Sequence, residues 1–319
     1  MNQIKIQKIL FIDSAHPVLM DDFTDMGFRC DYFPEYKKED YEKIIHEYFG
    51  VIIRSKIKLD KQILEKASQL KFIGRVGAGL ENIDVEFAEK KGIKCFNSPE
   101  GSRDAVGEHA LGMILSLLNN LNRADKEVRQ GKWNREENRG TEIKNKTIGI
   151  IGHGNMGSAF SEKISGFGAK VIAYDKYKFD YSDKFVIETD LETIFNETDI
   201  LSLHVPLTEE TTYMADDGFI NKFKKDIYLI NTSRGKVVKT EDVAKNIKLG
   251  KIKGAALDVL EYEDLSYENL DKNNFTEAFK FLVNSDKVIL SPHIAGWTLE
   301  SKYKLAKVLV DKIKKGIEF

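Results

Sequence analysis

Three residues able to move protons or hold oxyanions each follow a short apolar run. Arg234 ends "INTSR", Glu263 lies in "ALDVLEYED", and His293 lies in "ILSPHIAGW" just after Pro292, which fixes the chain direction. A histidine can accept or release a proton near neutral pH. A carboxylate on its second ring nitrogen would fix the tautomer and favour the protonated form, and a guanidinium fork can hold a carboxylate together with a neighbouring keto oxygen. The set suits removal of a hydroxyl proton while the adjoining carbon gives up a hydride. Taken singly, each has an ordinary explanation: a surface arginine at a strand end, an acid in an acidic loop, a locally satisfied histidine. Their shared placement just past strand-like runs, at the edge where open α/β sheets bind ligands, argues for a site.

A second pattern supplies the hydride partner. In "TIGIIGHGNMGSAF" a short apolar strand runs into Gly152, Gly154 and Gly157, and a helix pattern begins near Asn155 and continues to Phe167, with Gly168 as its stop. The first glycine permits a tight turn, the second lets the backbone approach a pyrophosphate, and the third lets helix pack on strand. The N–H groups at the helix start, around Asn155 and Met156, then face the phosphates. The next run, "KVIAYD", ends in Asp175, 18 residues after Gly157. A carboxylate there can accept from both ribose hydroxyls and would repel a 2'-phosphate, so NAD is expected over NADP. His153 has no evident partner and reads as a bystander.

The elements that must position these groups form a regular rhythm. "KILFID", "GVIIRS", "KFIGRVG" and "IKCFNS" precede the glycine loop; "KVIAYD", "DILSLHV", "DIYLINTS", "KGAALDVL" and "KVILSP" follow it, with amphipathic stretches between. Apolar runs separated by helices predict parallel sheets buried on both faces. Asp190 and Thr298 are candidate N-caps, and a helix from Thr240 should stop at Gly250. "NSPEGSRDAVGEHALGMILSLLNNL" reads as one long connecting helix. The last stretch places Leu299, Tyr303, Ala306, Val310, Ile313 and Ile317 on one helical face, which needs apolar cover from the first sheet. The expected organisation is therefore a discontinuous domain, 1–98 plus 293–319, interrupted by a second domain, 99–292, with substrate entering between them. No internal repeat is evident beyond this rhythm.

Composition narrows the class. A chain of 319 residues suggests about two domains. A formal charge of −2 gives no reason to expect a nucleic-acid partner, and "KFKKD" and "KIKK" read as solvated helix faces. No apolar run approaches the roughly 18 residues that span a bilayer, and "ILFID" is too short for a signal-peptide core. The two cysteines, Cys30 and Cys95, match neither a disulfide framework nor a zinc spacing. A cytoplasmic protein with no metal is expected.

These motifs, in this order, resemble the D-isomer-specific 2-hydroxyacid dehydrogenases: "GRVGAGLENID", "NKTIGIIGHGNMG", "HVPLTEET", "INTSRG", "GAALDVLEYE" and "SPHIAG" span nearly the whole chain. The resemblance implies a Rossmann-type NAD domain inserted into a discontinuous flavodoxin-like substrate domain, with Arg234, Glu263 and His293 catalytic. It implies that Asp258, read as a strand residue, contacts the nicotinamide amide. It also implies that His204, Val205, Pro206, Thr232, Ser233 and Gly296 line the cofactor, and that the backbone at Val76, Gly77 and Ala78 receives the substrate carboxylate. Within the family the likeness is greatest to 3-phosphoglycerate dehydrogenases, which implies that Arg54 and Arg75 lie near a phosphorylated substrate. A homodimer through the NAD domain is implied too, with Trp133 of "GKWN" in the contact or packed within its own chain.

The sequence also departs from the family. Asp264 follows Glu263 where proline is frequent, Asn155 replaces a basic residue, Arg103 stands where a small residue is usual, and the segment before "KVILSP" is long. No appended regulatory domain follows the last helix, so serine feedback through one is not expected. The expected activity is NAD-dependent oxidation of 3-phosphoglycerate at C2. The alternatives are an unphosphorylated acid such as glycerate, hydroxypyruvate, glyoxylate or D-lactate, and a corepressor-like protein that senses NAD(H).

Overall fold

The computed structural model describes residues 6–263 and 275–317. The described chain forms two compact units, one of residues up to 102 and from 297 onward, the other of residues between 103 and 296.

The first unit alternates β1 (Lys8–Phe11), α1 (Pro17–Asp25), β2 (Arg29–Tyr32), α2 (Lys38–Ile44), β3 (Gly50–Ile53), α3 (Lys61–Lys66), β4 (Phe72–Arg75), α4 (Val85–Lys90) and β5 (Lys94–Asn97). Its five strands are all parallel, in the order β2-β1-β3-β4-β5, which is the flavodoxin-like order. Side chains alternate between two buried faces: Leu10, Val51 and Ile53 pack to one side, Ile9, Phe11 and Ile52 to the other. Both faces are dry, as the apolar runs require.

The second unit opens with α5 (Arg103–Leu118) and α6 (Leu121–Arg129). It continues through β6 (Thr147–Ile151), α7 (Asn155–Ser165), β7 (Lys170–Tyr174), β8 (Ile187–Glu188), α8 (Leu191–Glu197), β9 (Ile200–Leu203), α9 (Asp217–Ile220), β10 (Ile227–Asn231), α10 (Thr240–Leu249), β11 (Ile252–Leu257), α11 (Glu277–Asn284) and β12 (Val288–Leu290). Its parallel sheet runs β12-β11-β10-β9-β6-β7-β8. The strand order reverses between β6 and β9, and ligands of doubly wound sheets bind outside the carboxyl ends at such a reversal.

The last helix, α12 (Leu299–Gly316), returns to the first unit and lays Ala306, Leu309, Val310 and Ile313 on the face that carries Ile9 and Phe72. The buried stripe is shorter than its sequence pattern suggests, because Leu299 and Tyr303 are exposed. The division between the units also differs from the expected residues 98 and 293. Pro99–Gly101 is a separate 3₁₀ turn rather than the start of one long helix, and it packs on α12 so tightly that a Cβ on Gly101 would lie 2.5 Å from the Leu305 backbone nitrogen. That contact keeps residues 99–101 in the first unit. The turn after β12 stays with the second unit because Asp258 holds it, as described below. Two further strands, β2 and β8, are polar edge strands, and α7 stops at Ser165 rather than Phe167.

Helix ends follow their local chemistry. Asp190 accepts from Thr193 N at the start of α8, and Gly250 takes φ 82° at the end of α10. Thr298 and Ser301 form a reciprocal capping box on α12, with Ser301 N donating to Thr298 Oγ1 (3.0 Å) and Thr298 N to Ser301 Oγ (2.9 Å). Replacing Thr298 with alanine should therefore lower unfolding stability by about 1 kcal/mol. An unchanged urea midpoint would show that the box contributes nothing.

Candidate active site

The glycine loop leaves β6 at Gly152, where φ is 91°. A Cβ there would also stand 2.8 Å from the carbonyl of His204, and one on Gly157 would stand 2.0 Å from the Gly152 oxygen. Both positions need glycine for reasons internal to the fold. Gly154 is different: it is the N-cap of α7, its backbone is extended, and a Cβ on it would meet nothing within 4 Å. No side chain caps α7, so the N–H groups from Asn155 onward meet that open space. The arrangement fits a pyrophosphate lying against Gly154.

Asp175 is the first residue beyond β7, and its carboxylate is fixed by backbone donors. Oδ2 accepts from His153 N (2.8 Å); Oδ1 accepts from Tyr177 N (2.9 Å) and Lys178 N (3.1 Å). Remaining lone pairs can accept hydroxyls. The His153 side chain points away from any such ligand: it is buried, stacks on Tyr181 at 4.6 Å, and lies 3.3 Å from Ser161 Oγ. Burial, and then the Lys178 charge, push its imidazole below the ordinary range.

At the end of β9, His204 N donates to Ile151 O (2.8 Å), which ties the turn to the glycine strand, and Nε2 contacts Ser202 Oγ (2.8 Å). Burial pushes this imidazole down to about 3, so it is neutral at working pH. Val205 is half-buried and Pro206 exposed just beyond it. At the end of β10, Asn231, absent from the sequence reading, shapes the loop. Its Oδ1 accepts from Ser233 N (3.1 Å) and Ser233 Oγ (2.7 Å), and its Nδ2 donates to Arg234 O (3.0 Å). Thr232 Oγ1 is buried and has no partner among the described residues, which is what a hydroxyl waiting for a ligand looks like. Arg234 is half-buried, with Nη1 donating to Ser233 O (2.7 Å).

The loops after β10 and β11 cross closely. A Cβ on Gly235 would lie 2.0 Å from the Leu260 carbonyl. The next residues carry Glu263, whose Oε1 accepts from Leu260 N and whose Oε2 meets His293 Nδ1 at 2.7 Å. Glu263 and His293 are thus brought together from opposite sides of a chain gap of 30 residues. His293 itself sits at φ 54°, a left-handed conformation that costs about 1–2 kcal/mol in a non-glycine residue.

That turn is held by Asp258, and here the structure corrects one expectation. Asp258 is the first residue beyond β11 rather than a strand residue, and its carboxylate is wholly buried. Oδ1 accepts from Ser291 Oγ (2.6 Å) and Ile294 N (3.0 Å), Oδ2 from Ala295 N (2.9 Å), while the Asp258 carbonyl accepts His293 N (2.7 Å). Burial raises its pKa, but hydrogen bonds from His109, Ser291 and the two backbone amides outweigh that and hold it below the ordinary carboxylate value. These contacts make Asp258 a clamp on the histidine turn, and Oδ2, with one donor, keeps a lone pair for a further partner. His109 and Ser291 were not legible as partners: they lie 182 residues apart in the chain. Gly296 ends the turn, half-buried.

Within the first unit, Arg54 and Arg75 meet. Arg54 N donates to Asp13 Oδ2 (2.6 Å), its guanidinium carbon lies 4.5 Å from the Trp297 ring centre, and its carbonyl accepts from Arg75 Nε (3.3 Å) and Asn82 Nδ2 (3.0 Å). Gly77 takes φ 150°, and a Cβ there would strike the Arg75 guanidinium at 1.6 Å. In the expected carboxylate cradle at 76–78, Val76 N donates to Ile53 O (2.9 Å) and Gly77 N to Ser98 Oγ (3.3 Å). Ala78 O accepts from Asn97 Nδ2 (2.6 Å). Arg103 lies 3.9 Å from Glu162 across partly exposed side chains, a pair of little energetic weight. Asp264 and residues 265–274 of the long segment lie outside the described residues. Among the described residues no group of three or more histidine, cysteine or acidic side chains could hold a metal ion, and no helix is long and apolar enough to cross a membrane.

Residues 111–295 match the family described as "D-isomer specific 2-hydroxyacid dehydrogenase, NAD binding domain". The chain belongs to that family. It is 38% identical over 281 residues to a hydroxypyruvate reductase of Thermotoga maritima, covering 88% of this chain and 89% of the relative. It is 33% identical over 309 residues to a D-3-phosphoglycerate dehydrogenase of Synechocystis, covering 96% of this chain but only 53% of that relative, so it spans about half its length. The D-lactate dehydrogenase of Aquifex aeolicus, solved with NAD and lactic acid, superposes with a TM-score of 0.81 at 30% identity, covering 96% and 95% of the two chains.

This member of the family is accordingly an oxidoreductase whose cofactor is NAD. The open Gly154 and the Thr232 hydroxyl, without a partner among the described residues, are features of its own fold that fit that cofactor. Gly154→Ala should leave the melting temperature nearly unchanged, because its Cβ meets nothing, yet weaken NADH binding at least about tenfold by obstructing the phosphates. NADH titration by fluorescence beside a thermal melt checks this, and unchanged affinity would remove the pyrophosphate from Gly154. Asp175→Asn keeps the shape and loses the charge; it should narrow the preference for NADH over NADPH by about tenfold, read as the ratio of the two KM values.

Proposed function

We propose that the chain interconverts 3-phosphoglycerate and 3-phosphohydroxypyruvate, with Arg234, Glu263 and His293 as its reacting groups. The observation that carries the substrate is the pairing of Arg54 and Arg75 in one half-buried cluster, with the Arg54 guanidinium stacked on Trp297 and Arg75 Nε bonded to the Arg54 carbonyl. A phosphorylated three-carbon acid has the second anionic group such a pair would hold.

Bound NAD supplies the hydride acceptor. The chain's residues handle the proton and the charge. A carboxylate only accepts, so the 2.7 Å contact between Glu263 Oε2 and His293 Nδ1 puts the ring proton on Nδ1 and leaves Nε2 as the base. Nε2 takes the C2 hydroxyl proton as the C2 hydrogen departs with its electron pair, and the C2–O bond becomes a carbonyl. Arg234 holds the substrate carboxylate and that oxygen. In the reverse direction the protonated histidine returns the proton. Thr232, Ser233, His204, Val205, Pro206 and Gly296 line the nicotinamide side, and Asn155 and Met156 offer backbone donors to the phosphates.

A second reading is reduction of hydroxypyruvate. It is favoured by the 38% identity to the Thermotoga maritima hydroxypyruvate reductase over 281 residues, against 33% over 309 residues to the Synechocystis 3-phosphoglycerate dehydrogenase. A homodimer through the NAD unit is supported by Leu121, Val128 and Trp133, all more than half exposed on and just after α6. Two unbridged cysteines support a reducing compartment, the cytoplasm by default.

NADH formation with 3-phosphoglycerate, D-glycerate and D-lactate, run with His293→Ala as control, tests the proposal. Turnover of the phosphorylated acid should exceed that of the others and vanish in the control. Arg54→Ala and Arg75→Ala should each raise the KM for 3-phosphoglycerate roughly 10- to 100-fold, the equivalent of one charged hydrogen bond, and leave that for D-glycerate within about threefold. Equal KM shifts for both acids would take the phosphate away from the arginines. Turnover of glycerate and hydroxypyruvate alone would install the second reading.

A further inference from the structure

One partly buried ionisable side chain of the second unit has no part in the reaction scheme yet lies beside Asp258. His109, in the second turn of α5, is only partly exposed, and its Nε2 lies 3.0 Å from Ser291 Oγ and 3.4 Å from Asp258 Oδ1. Ser291 Oγ in turn lies 2.6 Å from the same carboxylate oxygen. The donors can be counted. Serine has one proton and a carboxylate has none to give, so Ser291 donates to Asp258 and must accept from His109, whose proton therefore sits on Nε2. The chain of donors runs His109 to Ser291 to Asp258.

Asp258 is where that chain acts on the reaction. Its two carboxylate oxygens receive Ile294 N and Ala295 N, and its carbonyl receives His293 N, so consecutive backbone donors of the turn close on one residue. The turn contains His293 in a left-handed conformation that its own side chain does not favour. Glu263 orients the His293 ring; Asp258 sets where its Cα stands. Ser291 starts the turn and belongs to both sides of the arrangement.

We propose that His109 is a positioning residue for the dehydrogenase reaction, aligning the Asp258 carboxylate through Ser291 and thereby placing the His293 ring. It touches neither reacting atom nor proton. The proposal rests on the assignment of His293 as the base. A misplaced base costs turnover more than ground-state binding, and a displacement on the order of 1 Å can lower a rate about a hundredfold. The signature is thus a fall in kcat with KM and NADH affinity retained.

The experiment uses the whole chain, the best substrate found in the NADH-formation assay, and the variants His109→Ala, His109→Gln, Ser291→Ala, His109→Ala with Ser291→Ala, and His293→Ala. His109→Ala should lower kcat by about tenfold or more, while KM, NADH affinity and melting temperature change little. His109→Gln, which keeps a donor within reach of Ser291, should recover most of the loss. The double variant should be no slower than Ser291→Ala alone, because both residues act along one path. A His109→Ala enzyme with normal kcat would overturn the proposal while an inactive His293→Ala enzyme left the catalytic assignment standing. A loss spread over KM, NADH affinity and melting temperature, or additive single effects, would also overturn it and make His109 a packing residue. Full turnover by His293→Ala would remove the base assignment and this proposal with it.

Discussion

The site depends first on the satisfaction of one buried carboxylate. Asp258 stands at the end of β11 with its side chain out of solvent, where an unpaired charge would be far too costly to keep. The fold meets that demand with Ser291 and two backbone amides from the turn after β12, and its N–H reaches Asn231 O at the end of β10. One residue therefore ties three neighbouring strand ends together. The loops that carry Arg234, Glu263 and His293 are the ones so tied, and the close crossing of Gly235 over the Leu260 carbonyl leaves them little freedom to drift apart.

The cofactor half follows from a different constraint, the space a side chain would take. Gly152 and Gly157 are fixed by the return of the β9 end and by the start of α7, so they serve the fold whether or not a nucleotide binds. Gly154 caps α7 through its backbone without the fold requiring the absence of a Cβ there, since one would meet nothing within 4 Å, and it leaves an opening beside the first helical N–H groups. A buried Thr232 hydroxyl without a partner and a neutral, buried His204 complete a wall that offers few charges except at Asp175, where ribose recognition is expected.

Much of this was legible in the sequence because it is local. The glycine spacing, the run of apolar strands, the caps at Asp190 and Thr298 and the stop at Gly250 all depend on residues within a few positions of one another. The two strands that escaped notice, "RCDY" and "IE", lie at sheet edges, where only one side is paired and the apolar signal fades. The His109–Ser291–Asp258 arrangement escaped for a different reason: its members come from one helix and two strand ends, and no spacing rule links them. The sole hint was a lone histidine between Ala105, Ala110 and Met113 on the buried side of a helix. Likeness implied a cofactor contact for Asp258 and said nothing of its hold on the histidine turn.

Asp258→Asn decides most directly between clamp and cofactor contact, because it keeps the side-chain volume and removes the charge and one acceptor. The quantities to measure are kcat at saturating substrate and the NADH dissociation constant. A clamp lowers kcat by roughly a hundredfold through displacement of His293 and leaves NADH affinity within a few-fold of the parent. A weakened NADH affinity with kcat preserved at saturation would contradict the account and return Asp258 to the nicotinamide.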